Sequence, residues 1–281
     1  MTKECAISLL MASYNPGRYL IPAVESIADQ VQEGDELLIQ DALSTDGSLE
    51  ALLKRFPALP WLKVVSESDD GQADGLDRAL NRAKNDYVMW LNADDVIYPG
   101  ALKAVRRALE DRPDLVIGRS TIFNNDGRIV RSYAPRAFTR EAFVGRGADL
   151  FTGSIAYRTQ LMREVGGFDA KYVYCMDIDL FARLSERKPS AVYIPEVLAG
   201  LRWHSKSKGG TTVLPIVSEL HQVRMEHART ARERAIARVS TACYLAAAIL
   251  QPIRHSKTYS ALRAKLVREQ PAPVSVSSMA I

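Results

Sequence analysis

The chain is predicted to fold as an α/β protein with a mixed, mostly parallel sheet flanked by helices. Three observations carry this expectation. The first part of the sequence alternates short apolar runs with amphipathic stretches, the pattern of strand–helix units that build a parallel sheet. A polar cluster follows each of the first four apolar runs, which is where open α/β sheets bind ligands. The 281 residues are 47% apolar and 25% charged, enough for one large α/β domain with an appendage.

The elements follow in order. Residues 6–11 read as strand one and 19–30 as the helix after it. Residues 36–40 read as strand two, and Ser44-Thr45-Asp46 opens the next helix. Residues 62–66 form a third strand. In 73–84, Leu76, Ala79, Leu80 and Ala83 recur near helical spacing. Residues 86–91 are the fourth strand. Segments 116–123 and 128–133 flank Asn124-Asn125-Asp126-Gly127, a hairpin signal because Asn and Gly tolerate positive φ. Residues 159–165 read as a helix ended by Gly166-Gly167. Residues 177–186 form another, turning Leu180, Phe181 and Leu184 inward, and 191–194 and 197–203 read as two strands.

From Leu214 the character changes. Ile216, Leu220, Val223, Ala231, Ala235, Val239, Ala242, Ala246 and Ile249 recur at helical spacing, with arginines on the other faces. The apolar stretch 239–250 is too short to span a bilayer, which takes about 20 residues. Two readings stay open: a long helix packed on the domain or on a second copy in a homodimer, or a basic amphipathic helix resting on an anionic leaflet. The organisation expected is a catalytic domain over 1–212, a basic helical extension over 213–268 and a disordered tail over 269–281.

Charge is unevenly spread. From His221 onward there are 10 Lys/Arg against 3 Asp/Glu, a surplus of seven, so the preceding residues carry −3 within an overall +4. A mildly acidic body does not suit nucleic acid, and the basic tail suits an anionic surface. Cys5, Cys175 and Cys243 are widely spaced and odd in number, as in a reducing compartment. No basic segment followed by an apolar one precedes strand one, so no secretory signal is expected and the location is read as cytoplasmic.

The most informative feature is Asn92-Ala93-Asp94-Asp95, directly after strand four. Adjacent carboxylates at the exit of a buried strand are costly unless a cation neutralises them, and a hard divalent metal carrying phosphate oxygens does so. Polar clusters at the other strand ends converge on the same edge: Ser13-Tyr14-Asn15, Asp41, and Asp69-Asp70-Gly71-Gln72. Together they describe a site for a polar, phosphate-bearing ligand.

Over roughly residues 5 to 210 the chain resembles family 2 glycosyltransferases, the inverting nucleotide-sugar enzymes of GT-A fold. The resemblance rests on an ordered series: Ser13-Tyr14-Asn15, Gln40-Asp41 with Ser44-Thr45-Asp46-Gly47-Ser48, Ser66 to Gln72, and Trp90 to Asp95 with Pro99-Gly100. Gly166-Gly167-Phe168-Asp169, Asp177-Ile178-Asp179-Leu180 and Arg202-Trp203-His204 complete it.

The resemblance implies roles. Ala12, Ser13, Tyr14, Asn15 and Asp41 hold the nucleobase and ribose, and Ser44 follows in the same loop, where it is equally readable as a helix N-cap. Asp70, Gly71, Gln72 and Asp74 line the donor side with Asn92 and Ala93. Asp94 and Asp95 match the Asp-x-Asp motif that binds Mn²⁺ or Mg²⁺, although Asn92 replaces the first motif carboxylate. Asp177 matches the catalytic base, with Met176 where many relatives carry Glu. Asp179 lies about 200° further around a helix and takes a structural role. His204 ligates the metal or touches the diphosphate, aided by Lys206 or Lys208. Gly153, Ser154 and Asp169 shape the sugar or acceptor pocket, whereas Phe168 serves as readily in the core.

The function so implied is transfer of a sugar from a nucleotide-diphosphate-sugar donor to a glycan or lipid-linked acceptor, as in bacterial surface polysaccharide assembly. The basic tail makes a peripheral seat at the inner face of the plasma membrane an extension of that reading. Rival readings are a sugar-nucleotide nucleotidyltransferase and a non-catalytic GT-A-like binding module. An NAD-dependent oxidoreductase is disfavoured because no Gly-x-Gly-x-x-Gly follows strand one.

Overall fold

The computed structural model describes residues 5–145, 150–204 and 213–249. Four parallel strands occupy one half of the sheet: β1 (Ile7–Ser13), β2 (Glu36–Asp41), β3 (Leu62–Ser66) and β4 (Tyr87–Trp90), in the order β3-β2-β1-β4. The chain runs outward from β1 to β3 and then crosses back to place β4 on the other side of β1. That reversal opens a crevice at the carboxyl ends of β1 and β4. Strands β1, β2 and β4 are buried along their whole length except at Ala12, so they read as near-continuous apolar runs.

The other half is mixed. After the short β5 (Val96–Ile97), β6 (Leu115–Asn124) turns back as β7 (Ile129–Tyr133), and β8 (Ile155–Arg158) wedges antiparallel between β4 and β6. The predicted hairpin turn is present: Gly127 sits at φ +73°, and Asn124 Oδ1 accepts from the Asp126 and Arg128 amides. The two strands expected over 191–203 are one, β9 (Ala191–Trp203), parallel to β6. A register shift beside Gly118 absorbs the interruption at Pro195-Glu196, and a Cβ on Gly118 would lie 2.4 Å from Leu198 Cγ.

Alternation along the strands sends side chains into two cores. Ile7, Leu9 and Met11 pack under α1 (Leu20–Ala28), α2 (Ser48–Arg55) and α4 (Ala101–Ala108). Leu10, Val88, Trp90 and Tyr157 pack under α3 (Gln72–Arg82), α5 (Arg140–Gly145), α6 (Thr159–Glu164) and α7 (Met176–Glu186). Gly166 and Gly167, both at positive φ, close α6 as expected. A side chain at Gly167 would be strained at φ +60° and would displace the Asp77 carboxylate, since a Cβ would fall 1.9 Å from Asp77 Oδ1.

The single long helix expected from Leu214 is two helices, α8 (Val213–His227) and α9 (Ala231–Ile249). The break is built by Thr230 and Glu233: the Glu233 amide donates to Thr230 Oγ1, and Glu233 Oε2 accepts from the Arg229 and Thr230 amides. This is a reciprocal helix-start motif. Leu220 and Val223 of α8 belong to the core beneath α7, so α8 packs on the body of the protein. Among the described residues no helix is long and apolar enough to cross a membrane. Lys206, Lys208 and the tail from residue 250 lie outside the described residues.

Candidate active site

At the carboxyl ends of β1 and β4 opens a cavity of about 1480 Å³. One wall is made of two loops hydrogen-bonded to each other. The Asn15 amide donates to Ser44 Oγ, the Thr45 amide to Asn15 Oδ1 and the Gly17 amide to Asp46 Oδ2. Asn15 takes φ +46°, which its short polar side chain tolerates. Burial works to raise the Asp46 carboxyl, but hydrogen bonds from Ser48 and Gly17 hold it below its usual range. Ala12, Ser13 and Tyr14 complete this wall, Tyr14 being 68% exposed.

Asp41 lies beneath the cavity rather than in its wall. Oδ1 accepts from the Ser13 and Ser44 hydroxyls, and Oδ2 from the Ser44 amide and the Ser66 hydroxyl. Four donors fill the lone pairs of a carboxylate, so Asp41 anchors the loops that line the cavity. Ser44 is part of this cluster and is not an N-cap: α2 starts at Ser48 behind Gly47, whose φ is +78°.

The opposite wall carries the metal-type motif. Asp94 is partly exposed, and its Oδ2 lies 3.0 Å from His204 Nε2. Asp95 is 1% exposed: Oδ2 accepts from Asn92 Nδ2 at 2.7 Å and Oδ1 from the Arg202 amide at 2.8 Å. Burial first, and then the adjoining Asp94 charge, push its carboxyl well above the usual range. Each Asp95 oxygen accepts one hydrogen bond from the motif loop or β9, so Asp95 braces the loop beside Asp94. Asn92 Oδ1 accepts from Gln72 Nε2 and Trp90 Nε1. Because an indole N–H only donates, the Asn92 amide orientation is fixed.

Gly71 and Gln72 line the cavity, whereas Asp74 Oδ2 accepts from the Asp70 amide and pairs with Arg78. Gly71 at φ +107° and ψ −179° holds a backbone shape open only to glycine. A stack absent from the sequence reading closes the end: Tyr19 lies on the His204 ring, centroids 4.6 Å apart, and Arg202 lies over Tyr19 from 5.3 Å while its Nε donates to the Asp94 carbonyl. Arg18, Asp46, Asp69 and Asn125 also line the cavity, and of these only the Asp46 and Asp69 motifs were visible in the sequence.

Three expected pocket residues lie elsewhere. Gly153 and Ser154 are buried behind the motif loop, with a Cβ on Gly153 meeting Leu91 and Ala199, and Ser154 Oγ donating to the Phe151 carbonyl. Asp169 is exposed and accepts from the Lys171 amide. Phe168 packs edge-on against Trp90 at 5.1 Å, the core role.

Asp177, in the first turn of α7, is not in the wall of this cavity. Its charge bears on the buried Tyr157 hydroxyl, on Cys175 and on Tyr244 of α9, all raised above their usual ranges, chiefly by burial. Met176 shares a core with Trp90, whose N–H reaches the cavity through Asn92. Asp179 is buried and structural, paired with Arg183 at 2.7 Å and His227 at 3.1 Å. Among the described residues, no group of three or more His, Cys, Asp or Glu is gathered as a ready metal site.

A family model described as glycosyl transferase family 2 matches residues 8–166. The chain belongs to that family. The chain is 27% identical over 187 residues to chondroitin synthase of Pasteurella multocida, a match across 64% of the chain that spans only 19% of the synthase. It is 25% identical over 202 residues to the putative glycosyltransferase EpsE of Bacillus subtilis, across 70% of the chain and 72% of that protein. Among solved structures, Staphylococcus aureus TarS in complex with UDP-GlcNAc aligns with a TM-score of 0.67 at 15% identity, over 91% of this chain and 77% of that one. The mannosyltransferase PcManGT from Pyrobaculum calidifontis, in complex with GDP-Man and Mn²⁺, aligns at 0.59 and 19% identity, over 94% and 80%. The fold is GT-A, as the sequence resemblance implied.

Proposed function

We propose that this glycosyltransferase moves one sugar, with inversion, from a nucleotide-diphosphate-sugar donor to a glycan or lipid-linked acceptor in bacterial surface polysaccharide assembly. The observation that carries the reading is the pairing of Asp94 and His204 at 3.0 Å on one wall of a cavity whose other wall offers the exposed Tyr14. An aromatic face suits a nucleobase. An acid and an imidazole side by side suit a divalent cation, since adjacent octahedral ligands about 2.1 Å from a metal lie about 3 Å apart. Asp94 and His204 would hold Mn²⁺ or Mg²⁺, which supplies neutralisation of charge on the departing nucleoside diphosphate.

The chain's own residues do the rest. The stitched loops at Asn15 and Thr45 orient the nucleoside, and Gly71 lets backbone approach the donor. As the acceptor oxygen bonds to the anomeric carbon, the bond from that carbon to the diphosphate breaks and its electron pair leaves with the nucleotide. Asp177 takes the hydroxyl proton. Support for Asp177 comes from the motif match and from its place in the first turn of α7, on the side of the sheet that carries Trp90.

A membrane-borne acceptor is favoured by α9, where Ile236, Val239 and Ile249 are exposed beside Arg232, Arg234 and Arg238. Binding of UDP-, GDP- and dTDP-sugars by calorimetry, with and without Mn²⁺, tests the donor reading. Tight binding of one sugar nucleotide that weakens in chelator supports it, and failure of all three classes with Mn²⁺ present contradicts it.

A further inference from the structure

We infer that Glu219, on α8 and outside the family-matched segment, is a positioning residue that fixes the turn carrying Asp177. This deepens the reading just given and rests on Asp177 as the base. Glu219 Oε1 accepts from the Val173 amide at 3.1 Å, and Oε2 from the Tyr174 and Cys175 amides at 2.7 and 3.0 Å. Three successive backbone donors therefore converge on one carboxylate immediately before α7. That helix needs such a partner. Cys175 occupies its N-cap position and makes no side-chain cap hydrogen bond; Asp177 Oδ1 accepts from the Ile178 amide within the first turn, and Glu219 takes the N-cap amide and the two before it. A carboxylate also complements the positive end of the helix.

The rest of α8 grips the chain on both sides of Asp177. Glu226 accepts from Lys171 Nζ and Tyr172 Oη at 2.7 and 2.6 Å, and His227 pairs with Asp179. Cys175 Sγ also lies 3.6 Å from the Ile216 carbonyl. Of these contacts, the Glu219 carboxylate alone fixes the backbone of 173–175, from which the path to Asp177 is two residues. Misplacing a reacting group by about 1 Å can cost up to about a hundredfold in rate, so this anchor governs turnover without touching the donor.

The test uses the full chain carrying Glu219→Gln, which keeps the size but presents an amide to three N–H donors. The probe is whichever UDP-, GDP- or dTDP-sugar binds in the screen above, with Mn²⁺. The expected result is a kcat about ten- to a hundredfold lower, an unchanged donor KM, and faster hydrogen exchange at the amides of 173–175 with the central strands unaffected. Glu226→Gln, which loosens α8 without touching those amides, is expected to keep their exchange slow. Unaltered kcat and unaltered exchange in Glu219→Gln overturn the inference, as does an equal fall in kcat in both variants. Should Glu219→Gln not fold, Glu219→Asp, which withdraws the carboxylate by one methylene, is read in the same way. Asp177→Asn is measured alongside: if it transfers normally the base assignment fails, whereas an inactive Asp177→Asn beside a normal Glu219→Gln defeats only the present inference.

Discussion

Asn92 Nδ2 donates to the buried carboxylate of Asp95 at 2.7 Å, while Asn92 Oδ1 receives the N–H groups of Trp90 and Gln72. A neutral amide can do both at once and a carboxylate cannot. The residue that departs from the family's acidic motif is thus the keystone of the motif loop, joining β4, α3 and the Asp95–Arg202 contact to β9.

Asn92→Asp should therefore weaken the fold instead of strengthening metal binding. It removes a donor from a buried carboxylate and sets a second carboxylate against it, a change that costs about 1–3 kcal/mol or more for a charged group. A thermal melt at neutral pH without added metal should fall by several degrees. Unchanged melting would show that the Asn92–Asp95 contact contributes nothing.

Tyr19→Ala should act on the cation site from a distance. Tyr19 stacks on His204 and lies under Arg202, which in turn holds the Asp94 carbonyl. Without the ring, His204 loses the surface that orients it, and support of this kind around a ligand is worth about ten- to a hundredfold in metal affinity. Mn²⁺-dependent nucleotide affinity should drop by about that factor, and nucleotide affinity in chelator should change less. Equal losses in both conditions would tie Tyr19 to the nucleotide instead.

Acid should loosen α9 from the body of the protein. Hydrogen bonds and charge from Arg140 hold the Glu233 carboxyl at about 2, against an ordinary 4.5. A group with a depressed folded pKa stabilises fully above its unfolded value and loses that contribution as pH falls through the folded one. Stability supplied by the Arg140–Glu233 pair should thus be intact above pH 4.5 and fade between 4.5 and 2. Arg140→Met should melt lower at pH 7 and show a shallower decline over that window, measured as Tm against pH. Parallel curves for the two proteins would exclude Glu233 as the titrating group.

The first half of the fold was legible because its signals are local. Short apolar runs, turn residues and cluster positions placed β1 to β4 to within one or two residues, and Gly71, Gln72 and Asp94 to the right edge. What the sequence hid depends on partners far along the chain. The anchoring of Asp41 depends on Ser13, Ser44 and Ser66, which come together only in the fold. The Tyr19–His204 stack joins residues far apart in the chain, with no periodicity to betray it. Pro195-Glu196 looked like a strand break because a register shift in β6 cannot be read from β9 alone. The helix break was legible and missed: Thr230-x-x-Glu233 is a start signal standing inside an apolar repeat that masks it.

The central claim is a division of labour, with Asp94 and His204 serving the donor and Asp177, outside that cavity's wall, serving the acceptor. Asp177→Asn tests it most directly, with sugar transfer and Mn²⁺-dependent nucleotide affinity measured on one preparation. The account predicts transfer lowered by about 10²- to 10⁴-fold with nucleotide affinity unchanged. Turnover close to that of the unaltered protein would contradict it.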